Sequence, residues 1–312
     1  MARICFLLGV MPRSGTNYLS NVLTLHEQCE NSAPINEDFI VSQSGALYRF
    51  SKKIERYWNP KWDKENKVLT SDNILRHIGN GLKGFLSSAH ENADLPHDSV
   101  IVTKTPSTKN INHFFKLFPD SHLFIIMRDG RSVVESGEKS FDWDFEKAAF
   151  DWQVSVSRIS TFINNNPEFQ DKIMLVKYED LLTNTGEQIN QMFNFIGVEE
   201  GSVSINDVKS LKISGSSEVK NSQAEVNWSA VPMNEDFKPL ERFASWSQSK
   251  RRRFDWVAGK SLYEMKYIED CPQFSFKERV IQRCLDLTWC IRVAPKTIKF
   301  LVKEKKLILK TS

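Results

Sequence analysis

The sequence lacks the paired cysteines that a disulfide framework or a zinc site requires. Its 312 residues contain five cysteines and no C-x-x-C pair, a pattern that suits a reducing compartment. A long hydrophobic run is also missing, because the apolar stretch in "MARICFLLGV" ends at Pro12, whereas a membrane-spanning helix needs about 20 apolar residues. We therefore expect a cytoplasmic protein without a secretory signal or a spanning helix.

Neither sign of charge is in clear excess. Lysine and arginine number 42 against 39 aspartate and glutamate residues, which gives a net charge of +3. Bulk basicity therefore gives no support for a nucleic-acid partner. The hydrophobic fraction of 40% and the charged fraction of 26% are ordinary for a globular protein. The length suits one large domain, or one domain with an appendage.

Short apolar runs alternate with helical patterns along most of the chain. Strands are predicted over 4–10, 99–104, 122–129 and 172–178. Helices are predicted after residue 16, over 110–118, from about 131, through 152–159 and through 189–196. Residues 31–98 are predicted to form a helical, loop-rich insertion. This alternation predicts an α/β fold with a central parallel sheet flanked by helices and with ligands at the carboxyl ends of the strands.

The first predicted strand runs into a helix through the sequence Pro-Arg-Ser-Gly-Thr, residues 12–16. Such a turn presents backbone N–H groups and the positive end of a helix dipole to an anion. Gly9 and Thr16 match the two ends of a Walker A loop, but Ser14 and Gly15 replace its second glycine and its lysine. This departure weakens a nucleotide-kinase interpretation and leaves an ordinary strand-to-helix turn as the alternative.

Cations and hydroxyl groups also follow the other predicted strands, at 104–107, 128–131 and 178–180. Because parallel strands end at the same edge of a sheet, these groups predict a site for a ligand with more than one anionic group. Arg128 is predicted at a strand end, and Ser136, eight positions later, on the helix that follows. Both side chains can therefore bind one phosphate group, distinct from the one at Arg13. Taken singly, Arg128 could be an ion-pair partner, Lys104 a solvated cation and Tyr178 a core residue.

The segments "PRSGT", "TKTPS", "RDGRSVVES" and "KYEDL" together resemble the motifs of PAPS-dependent sulfotransferases, whose donor is 3′-phosphoadenosine-5′-phosphosulfate. The motifs are most similar to those of the tyrosylprotein and bacterial carbohydrate branches. The resemblance covers most of residues 3–270 and implies a P-loop-like, three-layer fold. It predicts a sulfotransferase domain over 1–272 and a basic amphipathic extension over 273–312.

The resemblance also implies a role for each motif residue. The 5′-phosphosulfate would be bound by the Arg13 side chain and by the N–H groups of Ser14, Gly15, Thr16 and Asn17. Arg128 and Ser136 would bind the 3′-phosphate, Tyr178 would contact the adenine, and Lys104 would lie beside the transferred sulfuryl group. A glutamate after the first helix would be the catalytic base; Glu37 is preferred and Glu30 is the alternative. No metal is expected.

The predicted function is transfer of a sulfuryl group from PAPS to a hydroxyl of a carbohydrate or other glycan, with release of PAP. The alternatives are a P-loop nucleoside or small-molecule kinase and a non-catalytic PAP-binding module.

The segment "TIKFLVKEKKLILK" near the C-terminus mixes apolar residues with lysines. It predicts either peripheral contact with an anionic membrane or a helix packed on its own domain.

Overall fold

A computed structural model describes residues 3–65, 67–88, 98–199, 203–212, 216–220, 226–227 and 238–292. The chain divides into two compact units, Met1–Ala244 and Ser245–Ser312. The lysine-rich segment at 296–310 lies outside the described residues. The domain boundary at residue 272 stays a prediction.

The first unit is built on a five-stranded parallel sheet in the order β2-β3-β1-β4-β5. The strands are β1 (Arg3–Gly9), β2 (Cys29–Asn31), β3 (Val100–Thr105), β4 (His122–Met127) and β5 (Ile173–Lys177). β1 lies at the centre, where it pairs with β3 on one side and with β4 on the other. The three central strands are almost entirely buried, which explains why they are continuous apolar runs in the sequence.

Helices connect the strands and flank the sheet. In the first unit they are α1 (Thr16–Leu23), α2 (Ile40–Gln43), α3 (Gly45–Tyr57), α4 (Ser71–Ser88), α5 (Phe114–Leu117), α6 (Gly130–Phe141), α7 (Phe145–Asn164), α8 (Tyr178–Thr183), α9 (Thr185–Ile196) and α10 (Ile205–Lys209). Short 3-10 turns cover Pro60–Trp62, Ile111–His113 and Pro167–Lys172, and a small antiparallel pair is formed by β6 (Ser216–Lys220) and β7 (Val226–Asn227). The second unit contains α11 (Gln248–Glu264) and α12, which is helical over 276–292.

The predicted α/β fold with a P-loop-like arrangement around a parallel sheet is confirmed. Two details of the prediction are wrong or incomplete. The single helix predicted over 110–118 is a 3-10 turn followed by the four-residue helix α5, and the edge strand β2 was not predicted. β2 has only three residues, two of them polar, and so it carries too little pattern to be recognised.

The two faces of β1 bury different layers, because successive side chains of a strand point to opposite sides. Leu7 belongs to a core cluster that includes Leu19 of α1 and Phe193 of α9. On the other face, the Phe6 ring stacks on Phe118 with the ring centroids 4.4 Å apart, and meets Phe114 edge-to-face at 5.3 Å. Packing on both sides thus fixes the end of β1, where the predicted anion loop begins.

Gly79 of α4 offers a test of the packing between α4 and α5. A methyl group at this position would overlap with the backbone carbonyl of Leu117. We expect Gly79→Ala to lower the free energy of unfolding by about 2–3 kcal/mol, at the upper end of the usual cost of overpacking. Urea-induced unfolding measures this change.

Gly81→Ala and Gly84→Ala are matched controls on the same helix, because a methyl group at either position meets nothing within 4 Å. Each should raise the free energy of unfolding by up to about 1 kcal/mol, as alanine favours a helix over glycine. Similar effects from all three substitutions would show that α4 does not press on α5 at Gly79.

Candidate active site

The loop between β1 and α1 has the backbone geometry of an anion cradle. Arg13 and Gly15 adopt left-handed conformations with φ of 74° and 100°, and α1 begins at Thr16 directly behind them. The first N–H groups of a helix, here those of Thr16 and Asn17, have no acceptor within the helix. The N–H of Ser14 instead donates to the carbonyl of Met11 at 3.3 Å. The first N–H groups of α1 therefore face the space at the carboxyl ends of the strands.

Gly15 is required by its conformation and by a close neighbour. A side chain there would overlap with the ring of Tyr178, and a φ of 100° already disfavours any residue with a Cβ. Tyr178 is the first residue of α8, it is only 5% exposed, and it meets the Tyr18 ring edge-to-face at 5.8 Å. Burial and the neighbouring Tyr178 raise the pKa of Tyr18 to about 12.

Arg128, which follows β4, connects the loop to two other segments. Its Nη1 donates to the carbonyl of Arg13 at 3.0 Å, and its Nη2 donates to the carbonyl of Pro239 at 2.7 Å. The guanidinium carbon lies 4.4 Å from the centre of the Tyr178 ring, within the range of a cation–π interaction. In the part of the chain that the structure describes, the buried Nε has no hydrogen-bond partner. One donor of this buried cation is thus available to an anion.

The side chain of Arg13 crosses to α6, where its Nε donates to the Oγ of Ser136 at 3.1 Å. The sequence predicted two separate anion sites, one at Arg13 and one at Arg128 and Ser136. The structure brings the three residues into one cluster, so these sites adjoin. Burial, together with the charges of Arg128 and Arg242, lowers the pKa of Arg13 to about 10. Positive charge is therefore concentrated beside the loop.

Arg242 is a member of this cluster that sequence analysis missed. Arg242 is only 5% exposed, and its charge lowers the pKa of Arg13. Arg242 follows no strand of the parallel sheet, so it is not among the cations that the sequence places at strand ends. Its position in the space beside Arg13 depends on the path of the chain around 238–244, which the sequence pattern does not reveal.

Lys104 lies near the end of β3, beside a cleft of about 480 Å³. Its Nζ donates to the backbone carbonyl and to the Oδ1 of Asn36, both at 2.8 Å. Burial lowers the pKa of Lys104, and the charges of Glu37 and Asp38 oppose that change. The polar side chains that line the cleft with Lys104 include four asparagines, Asn17, Asn21, Asn31 and Asn36. The cleft thus joins the start of α1 to the end of β3.

Asp38 anchors the segment that carries Asn36 and Glu37, a role that was not predicted from the sequence. Its Oδ2 accepts a hydrogen bond from Thr103 at 2.7 Å, and its Oδ1 accepts one from Thr105 at 3.1 Å. The backbone N–H of Asp38 donates to the carbonyl of Lys104 at 3.1 Å. Burial raises the pKa of Asp38, although these hydrogen bonds work in the opposite direction. The carboxylate holds the segment against β3.

Of the two candidate bases, Glu37 is the one whose charge acts on Lys104. Burial raises its pKa, the charge of Lys104 lowers it and the charge of Asp38 raises it. Glu30 is the middle residue of the edge strand β2 and pairs with Ile101. Its neighbour Asn31 lines the cleft, and adjacent strand residues point to opposite faces. The geometry therefore favours Glu37 over Glu30.

A model of the sulfotransferase family matches residues 6–201, which include the loop, Lys104, Arg128 and Tyr178. The chain belongs to the sulfotransferase family. The predicted family and the prediction of a sulfotransferase enzyme are thereby confirmed. No curated protein matches the sequence.

Solved sulfotransferases resemble this sulfotransferase at low sequence identity. The sulfotransferase domain of the Synechococcus PCC 7002 olefin synthase is 15% identical, with 87% of this chain and 96% of that chain covered and a TM-score of 0.48. A mouse sulfotransferase complexed with PAP is 12% identical, with 92% of this chain and 88% of that chain covered and a TM-score of 0.46. A sulfotransferase from Alicyclobacillus acidocaldarius is 11% identical, with 86% and 97% covered and a TM-score of 0.45.

Two further findings concern only the described residues of the sulfotransferase. Among them, no group of histidine, cysteine, aspartate and glutamate side chains is arranged to hold a metal ion. No helix in the same ranges has the length and apolar character needed to cross a bilayer.

The anchoring role of Asp38 can be tested by Asp38→Ala, which leaves the Thr103 and Thr105 hydroxyls and the Ile40 N–H without their acceptor. We expect a loss of about 2–3 kcal/mol in the free energy of unfolding, because buried donors without a partner are costly. Chemical denaturation measures the loss.

Asp120→Ala is the control, because this exposed carboxylate lies 4.0 Å from its nearest cation, Lys172. It should change the free energy of unfolding by less than about 0.5 kcal/mol, as is usual for surface substitutions. An Asp38→Ala protein as stable as Asp120→Ala would show that Asp38 does not anchor the segment.

Proposed function

We propose that this sulfotransferase transfers a sulfuryl group from PAPS to a hydroxyl of a carbohydrate or other glycan and releases PAP. The observation that carries the proposal is the cluster of Arg13, Arg128 and Arg242 beside the loop at the ends of β1 and β4. The charges of Arg128 and Arg242 act against that of the partly desolvated Arg13, and pairing with a ligand that carries two phosphate groups would offset both costs.

The buried polar atoms around the loop fit such a donor. Besides the Nε of Arg128, the fully buried Oγ of Ser14 has no hydrogen-bond partner among the described residues. We assign the 5′ side of the donor to Arg13 and to the N–H groups of Gly15, Thr16 and Asn17, whereas the N–H of Ser14, also predicted for this role, donates to the carbonyl of Met11. We assign the 3′-phosphate to Arg128 and Ser136, and the adenine to Tyr178. The contact between Arg13 and Ser136 means that the two anion sites share a wall.

Bound PAPS would supply an activated sulfuryl group with PAP as its leaving group. Sulfuryl transfer, like phosphoryl transfer, then depends on alignment and on stabilisation of the charge that develops. Arg13, Lys104 and the loop N–H groups are the donors that would stabilise negative charge on the leaving oxygen. Glu37 would accept the proton of the acceptor hydroxyl, and its raised pKa makes it a stronger base than an exposed glutamate. We expect turnover without a metal.

The cleft beside Lys104 supports a glycan as the acceptor class. Its asparagine side chains offer amide donors and acceptors beside Lys104, and sugar hydroxyls need both kinds of partner. A nucleoside or small-molecule kinase, the first alternative, is disfavoured by membership of the sulfotransferase family. The second alternative is a PAP-binding module without catalysis. Measuring turnover of the wild type and of the Glu37→Gln variant distinguishes it from an enzyme.

Donor binding can be tested by thermal-shift titration of the intact protein. We expect PAP to raise the melting temperature without magnesium, whereas ATP with magnesium should have little effect. At 100 times the dissociation constant the stabilisation should be about 2.7 kcal/mol. A larger shift with ATP and magnesium than with PAP would refute the proposal.

Ser136→Ala probes the 3′ site without removing a charge. The variant should bind PAP about tenfold or more weakly, the usual effect of a lost hydrogen bond to a charged group, while adenosine 5′-phosphosulfate should bind as before. Ser140→Ala, one turn further along α6, is the matched control and should bind both ligands normally. Equal weakening for the two ligands would place Ser136 outside the 3′ site.

Catalysis by Glu37 can be tested with Glu37→Gln, which keeps the size of the side chain but cannot accept a proton. Turnover should fall about a hundredfold or more, as expected when a positioned general base is lost, while PAP affinity and melting temperature stay near wild type. Glu30→Gln is the matched control and should keep its turnover. The reverse result would make Glu30 the base, and no turnover by the wild type despite tight PAP binding would favour a binding module.

The pH dependence gives an independent readout of the same group. Because Glu37 acts when deprotonated and burial raises its pKa above the ordinary value of 4.5, kcat/KM should fall as the pH drops through that raised pKa. The Glu37→Gln variant should lack this acid limb in its residual activity.

A further inference from the structure

Helix α12 in the second unit carries an apolar stripe, formed by Phe276, Val280, Cys284, Leu287 and Ile291. The four large side chains are 85%, 47%, 64% and 74% exposed, in chain order, and Cys284 is also exposed. Spacings of three and four residues place all five on one face of the helix. Single exposed apolar residues are ordinary, but a continuous stripe over the length of a helix indicates a binding surface.

The opposite face of α12 fixes the orientation of the stripe. Arg253 of α11 donates to the Oε1 of Gln282 at 3.0 Å and to the Oδ1 of Asp286 at 2.8 Å. The indole N–H of Trp256 donates to the other carboxylate oxygen of Asp286 at 3.0 Å. Because these bonds hold α12 against α11, the helix cannot rotate to bury its stripe without breaking them.

The charges next to the stripe are positive. Lys277 and Arg283 are exposed and make no ion pair or hydrogen bond with their side chains in the described part of the chain. The two carboxylates of α12, Glu278 and Asp286, are paired with Arg252 and Arg253 on the packed side. The following sequence continues this excess, with a single Glu304 among the lysines at 296, 299, 303, 305, 306 and 310.

We propose that the apolar stripe of α12 binds the surface of an anionic lipid bilayer, with the helix lying in the interfacial plane. An interfacial helix combines an apolar face with flanking cations that meet anionic headgroups. A second copy of the chain fits less well, because a two-fold contact through the stripe would bring like charges such as Arg283 together. This inference does not depend on the proposed sulfuryl transfer.

Flotation of the full-length protein with vesicles tests the proposal. We expect binding to vesicles of phosphatidylcholine with phosphatidylglycerol, much weaker binding to phosphatidylcholine alone, and a decrease as salt rises from about 0.1 to 0.5 M. The double variant L287Q/I291Q should bind anionic vesicles at least about tenfold more weakly, since it removes buried apolar area without changing charge.

The double variant L285Q/T288Q is the matched control on the same helix. Leu285 and Thr288 are exposed but lie outside the stripe, so this variant should bind within about twofold of wild type if the apolar face governs the affinity. Both variants should keep the wild-type melting temperature.

Cys284 provides a local probe, because it lies within the stripe. Burial raises the pKa of Cys29 to about 12 and also raises that of Cys5, so these thiols react slowly. In a C271S/C290S background, an environment-sensitive dye on Cys284 should shift its emission to the blue with anionic vesicles. An unshifted dye, no binding by the wild type, or equal binding by the two double variants would overturn the proposal. The proposal would also be overturned if the wild type were a dimer that L287Q/I291Q disrupts and L285Q/T288Q does not. A lower melting temperature for L287Q/I291Q, but not for L285Q/T288Q, would overturn it as well.

Discussion

A single buried guanidinium, that of Arg128, joins three segments that are far apart in the sequence. It donates to the carbonyls of Arg13 and Pro239 and lies over the ring of Tyr178. The carbonyl of Arg128 is itself held by the indole N–H of Trp152 at 3.1 Å. A planar group with five donors can make such contacts at once, whereas a lysine could not. The shape of the loop and the position of the Tyr178 ring both depend on this residue.

The neighbouring arginines make the site costly for the protein without an anion. Desolvation and mutual repulsion both act against the charge of Arg13, and no carboxylate forms an ion pair with Arg128 among the described residues. Buried charge of this kind is normally paired. On the other side of the loop, Lys104 lies close enough to Glu37 for each to affect the pKa of the other. The site thus has one region of excess positive charge, beside the loop, and another in which the charges of Lys104 and Glu37 oppose each other.

The sequence predicted the sheet because its central strands are buried on both faces, and it predicted Arg13, Lys104, Arg128 and Tyr178 because each lies at or next to a strand end. Their proximity follows from the parallel arrangement of the strands. Arg242 and the anchoring contacts of Asp38 could not be predicted in this way. Both depend on where an irregular segment returns to the sheet, and no periodic pattern records that path. The contact between Arg13 and Ser136 depends on a side-chain conformation, which is equally invisible in the sequence.

The central position of β1 has a consequence for synthesis on the ribosome. Arg3 pairs with Val100, and Cys5 pairs with His122, so β1 is synthesised well before the two strands that it pairs with. Until then, the apolar run that ends at Leu8 remains unpaired in the nascent chain. Such delayed, non-local pairing slows folding and exposes the segment to aggregation. Binding of chaperones to β1 during translation would limit this exposure.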